Sequence, residues 1–215
     1  MKEIPAMSTT IKLALALLCN LIIVVSTIFV VRSYCKTEEG TYRWSYGSWR
    51  FKFFTTLSNV ISAAAALIVI PFEIAAIIKG TSISVPALVI KYIGTVVVTL
   101  TFFTVLFYLG PTQGYKEMYR GVSFYTHFLG AAIAFLSFCF LEKGRLGLLW
   151  VIPAMLPMTI YAIVYRHMVL DKGPLNGGWE DFYGFNVHDR WKISATVMLA
   201  IMLGINFLVL ICHNR

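Results

Sequence analysis

The chain has 215 residues, of which 59% are hydrophobic and only 13% charged, against about a quarter charged in an ordinary soluble domain. So much apolar surface excludes a soluble globular domain, a disordered chain and a collagen-like chain, and predicts a single-domain integral membrane protein. Eighteen Lys and Arg against ten Asp and Glu leave a charge of +8; the basic residues lie mostly between apolar runs, a placement that suits lipid headgroups and topology signals and not nucleic acid.

Six apolar runs follow one another along the chain. Each is about 18 residues or longer, enough to cross a bilayer as a helix. Backbone groups in lipid must be satisfied within the protein, and continuous apolarity without strict alternation selects helices over a β-barrel. The expectation is an all-α bundle of six transmembrane helices over 11–31, 54–78, 85–110, 124–141, 146–167 and 193–212. The first run is too long for a signal-peptide core and no A-x-A site follows it, so it reads as the first span. Pro153 and Pro157 predict a kink in the fifth.

The connections divide into two sets. The short ones at 79–84 and 142–145 share a side with both termini. The longer ones, roughly 32–53, 111–123 and 165–192, share the other side and carry four of the five Trp (Trp44, Trp49, Trp179 and Trp191) with many Tyr. These residues favour the membrane–water boundary, so the long connections are expected to lie on the membrane surface. Positive charge is denser on the terminal side (Lys2, Lys12, Lys79, Lys143, Arg145, Arg215), although its total is larger on the long-loop side. Density in short segments favours cytoplasmic termini. A bacterial plasma membrane and a eukaryotic endomembrane both fit.

Four cysteines (Cys19, Cys35, Cys139, Cys212) form no C-x-x-C pair, and three lie inside apolar runs, where they act as small hydrophobes. His167, His188 and His213 lie near or outside the membrane boundary, and no H-E-x-x-H, P-loop, G-x-S-x-G elbow or Rossmann glycine pattern occurs. No metal and no cofactor is implied.

Polar side chains inside the runs are costly and therefore informative. Thr55, Ser58, Asn59 and Ser62 fall at i, i+3, i+4 and i+7 of the second helix, on one face that should look into the bundle. They are either interhelical hydrogen-bonding groups or a nucleophile with its positioning groups. His127 is the only histidine well inside a run, and is either a satisfied interhelical residue or a general base. The second and fourth helices both begin on the long-loop side, which puts Thr55 and His127 at similar depth. Tyr161 and Tyr165 form an i, i+4 pair on the fifth helix at that same side. Arg166 and Lys172 can snorkel or hold a headgroup. Glu73 and Lys91, near the short-loop end, are expected to pair with each other or with water.

The run Trp49-Arg50-Phe51-Lys52-Phe53-Phe54-Thr55-Thr56-Leu57-Ser58-Asn59 resembles the start of the second helix in the androgen-induced protein family. Members are six-pass membrane threonine hydrolases of fatty acid esters of hydroxy fatty acids, and bacterial six-pass proteins of similar pattern are grouped near them. Ser123 to His127 resembles the intramembrane histidine of that family. Tyr161 to Tyr165, followed by Trp179 and Tyr183-Gly184-Phe185-Asn186, resembles its fifth helix and following W…Y-P-F element, with Gly184 where eukaryotic members have Pro. The resemblance implies hydrolysis of a lipid ester with Thr55 as nucleophile and His127 as base, supported by Asn59, Ser58, Tyr161 or Tyr165; Thr56 and Ser58 compete with Thr55 for the alignment. The implied partners are a lipid substrate and bilayer lipids. The alternative is a non-enzymatic membrane protein, either a lipid or small-molecule carrier or a subunit of a membrane assembly, in which the polar stripe lines a path or an interface.

Overall fold

The computed structural model describes residues 8–215, so Lys2, counted above with the terminal-side charge, lies outside the described residues. Six helices are long and apolar enough to cross a membrane: α1 Thr9–Tyr34, α2 Phe54–Lys79, α3 Val85–Gln113, α4 Val122–Leu141, α5 Leu148–Lys172 and α6 Trp191–His213. The chain is an all-α, multi-pass membrane bundle. Helices of 26 residues extend about 39 Å at 1.5 Å per residue, more than a hydrocarbon core of about 30 Å. The outward faces carry exposed Leu21, Phe29, Leu67, Phe140, Ile152 and Ile163, which suits contact with acyl chains.

Helix α3 is the axis of the bundle and packs on α2, α4, α5 and α6, while α1 lies against α2 and α4. Its Leu88, Tyr92, Val96, Val97 and Leu100 are fully buried. In lipid there is no hydrophobic drive between helices, so close approach and dispersion must hold them. Gly94 provides that approach: a Cβ there would stand 2.6 Å from the Cβ of Ala65 on α2. Polar clips add to it. Tyr92 donates to the carbonyl and to Oδ1 of Asn206 on α6 at 3.0 and 2.9 Å, and Tyr125 on α4 donates to the carbonyl of Ile23 on α1 at 3.2 Å.

The short connections lie with the described ends of the chain. Asn214 pairs reciprocally with the backbone of Leu146 at 3.1 and 2.9 Å, which ties the α4–α5 turn to the end of α6. On the other side the α1–α2 connection folds onto α1: Lys36 bridges to Tyr42, and the guanidinium groups of Arg32 and Arg50 lie over the rings of Tyr42 and Tyr34 at 4.4 and 4.6 Å. All four cysteines are free; Cys35 and Cys139 are buried and the other two half-buried.

Two expectations are corrected. Glu73 and Lys91 do not pair directly. Both are buried, and they meet through Asn20 of α1, whose amide donates to Glu73 and accepts from Lys91. The apolar runs also understate α1, α3 and α5, which continue past residues 31, 110 and 167. The backbone ladder carries on where the side chains turn polar or aromatic: α3 adds the turn Gly110–Gln113 after a wide-turned π segment at Val105–Leu109, and α5 continues through one at His167–Lys172.

Replacing Gly94 by Val should force α2 and α3 apart and cost about 1–3 kcal/mol, the usual price of overpacking. Thermal unfolding in detergent should show a lower midpoint for Gly94→Val than for the wild type, and an unchanged midpoint would contradict the close α2–α3 packing.

Candidate functional site at the long-loop end

The position of Thr55 is fixed by how α2 begins. The first N–H groups of a helix have no internal partner, and Phe53, at the N-cap, offers no side-chain oxygen. A tyrosine from a distant segment fills the role: the N–H of Phe54 donates to the hydroxyl of Tyr183 at 2.9 Å. Tyr161 of α5 donates to the carbonyl of Lys52 at 2.7 Å. Two tyrosines thus clamp the residues on either side of the helix start, and Thr55 follows directly.

Tyr183 is held in turn by the 173–190 connection. Asp181 organises it, accepting from the hydroxyl of Tyr165 at 2.8 Å and from the N–H groups of Phe185 and Asn186 at 2.9 and 2.7 Å. Tyr108 of α3 donates to the carbonyl of Tyr183 at 2.8 Å. The rings of Tyr165, Trp179, Phe182, Tyr183 and Phe185 pack edge-on and tilted above the bundle. Gly184 has φ 68°, a conformation closed to proline, so this connection turns where a Y-P-F element could not. Burial pushes the Tyr183 hydroxyl above its ordinary pKa, so it remains a proton donor across the neutral range.

Thr55 is half-buried and faces a cavity of about 20 Å³, whose wall also includes Thr101, Thr104, Tyr161 and Tyr183 among apolar neighbours. That is room for one water. Its wall residues Met158, Tyr161, Phe185 and Met198 also border a groove of about 230 Å³ between α5 and α6, and Thr104, Phe185 and Met198 border a second, of about 560 Å³, between α3 and α6. Thr56 is buried and does not line this cavity; it lies beside Tyr34, which also reaches Thr126.

The rest of the polar stripe is tied down. Ser58 shares a 2.7 Å hydrogen bond with Thr101 of α3 and donates to the carbonyl of Thr55 at 3.0 Å. The amide nitrogen of Asn59 donates to the carbonyl of Thr55 at 2.8 Å and to that of Thr126 on α4 at 3.0 Å. One N–H is therefore used within α2 and the other between helices, and neither is free for an oxyanion. Tyr161 and Tyr165 likewise spend their hydroxyl hydrogens, on Lys52 and Asp181. Tyr183, which the sequence placed among the boundary aromatics and in the element resembling W…Y-P-F, accepts the bond from Phe54 and lies within hydrogen-bonding reach of Thr55 and Tyr161.

His127 lies in a π segment of α4, Tyr125–Leu129. Its Nδ1 meets the carbonyl of Met118 at 2.5 Å. A carbonyl only accepts, so Nδ1 carries the hydrogen, and the neutral ring leaves Nε2 as the basic atom. The orienting group absent from the sequence reading is thus a backbone oxygen. Among the described residues no hydrogen bond joins His127 to Thr55. Asn59 links the two helices, holding the carbonyls of Thr55 and of Thr126, the neighbour of His127, on one nitrogen, while His127 itself does not line the cavity.

No protein-family model, curated protein or solved structure matches the chain.

Asp181→Ala should free three donors, at a local cost of about 2 kcal/mol or more, since hydrogen bonds to charged groups contribute about 1.5–3 kcal/mol each. Hydrogen exchange at Phe185 and Asn186 should quicken at least about tenfold while α3 stays protected; unchanged exchange would contradict the role given to Asp181.

Proposed function

We propose that the long-loop end is the site of an intramembrane hydrolase of lipid esters. The observation that supports this reading is the pair of hydrogen bonds from Asn59, which ties the backbone of a cavity-facing threonine to the helix carrying a histidine whose tautomer leaves Nε2 basic. His127 takes the hydroxyl proton of Thr55, and Thr55 Oγ1 forms a bond to the ester carbonyl carbon. The alcohol leaves with that proton, and water then releases the acid and restores Thr55. Tyr183 donates to the oxyanion, because the amide of Asn59 is already spent on backbone carbonyls. The grooves bordering the cavity suit an acyl chain arriving from the bilayer. Because Thr55 and His127 are not in contact, substrate must open the chamber and turn the ring of His127.

A second reading rests on that same separation. A cavity that holds only one water suits a non-enzymatic protein, a lipid or small-molecule carrier or a subunit of a larger assembly, in which Ser58 and Asn59 simply join helices.

The test is hydrolysis of a fatty acid ester of a hydroxy fatty acid by purified protein in nanodiscs. Thr55→Ala and His127→Ala should each lower turnover at least about 100-fold, the scale of a lost general base, while Thr56→Ala stays within a few-fold. Absence of turnover in the wild type, or full turnover in Thr55→Ala, would favour the second reading.

A further inference from the structure

A second polar cluster lies at the opposite end of the bundle, and the site above does not use it. Glu73 of α2 and Lys91 of α3 each lie six residues inside the short-loop end of their helix, about 9 Å deep. Glu142 closes α4 at the same end. The π segment Ser137–Leu141 sets positions five apart over one another, so Ser137 donates to Glu142 Oε1 at 2.9 Å while the N–H of Glu142 meets the carbonyl of Ser137. Lys91 Nζ stands 3.8 Å from Glu142 Oε1 and donates to Asn20, and Asn20 donates to Glu73 Oε1 at 2.8 Å. All five side chains are 2% exposed or less.

The cluster has one ammonium and two carboxyl groups, so full ionisation would leave an uncompensated negative charge inside the membrane. Such a charge is costly, and two nearby carboxylates with one cation between them lower the cost by keeping one proton. Glu142 has the ammonium and a hydroxyl donor on one oxygen. Glu73 has only a neutral amide. Among the described residues Glu73 Oε2 and Glu142 Oε2 have no partner at all. A metal cation is disfavoured because the Lys91 ammonium already occupies the place between the acids. Among the described residues, other titratable groups at this end include Cys19 of α1, Cys139 of α4, and Cys212 and His213 of α6, the Nδ1 of His213 being on the carbonyl of Phe138.

From this geometry we infer that Glu73, Lys91 and Glu142 form an intramembrane proton-binding site, in which the two carboxyl groups share one exchangeable proton. With the proton bound as O–H, on Glu73 in the resting state, the three groups are neutral together. Its release leaves a carboxylate and one net negative charge at the short-loop end. The inference does not depend on the hydrolase reading.

Infrared spectroscopy of the protein in nanodiscs at neutral pH tests it. The wild type should show the carbonyl band of a protonated carboxyl group, shifting in heavy water and lost on alkaline titration. Glu73→Gln should abolish the band. Glu142→Gln should abolish it too, because the remaining Glu73 then ionises against Lys91. Lys91→Met should retain or strengthen it. A wild-type spectrum without the band, a band insensitive to heavy water, or one that survives in both Gln variants would overturn the proposal. Loss of the wild-type band on adding sodium, with sodium taken up, would overturn it in favour of a cation site. The wild-type titration and exchange stand by themselves if a variant fails to fold.

Discussion

A bilayer offers no water to a polar group inside it, so each such group must be met by protein. In this bundle that requirement decides which helix lies beside which. Asn59 has one amide to satisfy and does so on two helices at once, Tyr92 is satisfied by Asn206, and Asn20 stands between Glu73 and Lys91. Dispersion among Leu, Val and Ala side chains permits many helix arrangements. These few hydrogen bonds reject most of them, because a slipped register would leave buried donors and acceptors unmet.

The same requirement separates the interior into two chemistries. At the long-loop end the groups within the bundle are hydroxyls, one amide and one imidazole, ringed by aromatics from a surface connection that Asp181 organises. At the short-loop end they are ionisable and sealed. Lys91, Thr95 and Thr99 run along α3 at four-residue spacing, and among the described residues the hydroxyls of Thr95 and Thr99 are buried without partners. The two ends are therefore not separated by a purely apolar middle.

Much of the fold was legible because it follows from length and apolarity alone: six spans, their order, and the grouping of long and short connections. What escaped depended on contacts between distant residues. Tyr183 meets the start of α2 across 129 residues, and Asn59 meets Thr126 across 67; periodicity within one helix says nothing about either. The polar face with Thr55, Ser58 and Asn59 was readable, but not that Asn59 would spend one N–H on its own helix and the other on α4. Asn20 and Asn206, each alone in an apolar run, went unremarked although the cost of an intramembrane amide was signal enough. The π segments also left no mark in the sequence, yet one of them holds His127 and another joins Ser137 to Glu142.

The functional account depends on which side chain meets a reactive ester in the chamber below Tyr183. The most direct measurement is peptide mass spectrometry after labelling with a fluorophosphonate that carries an acyl chain. The account predicts a covalent adduct on Thr55, absent when His127 is replaced by Ala. An adduct on Thr56 or Ser58, or labelling of Thr55 that is indifferent to His127, would contradict it.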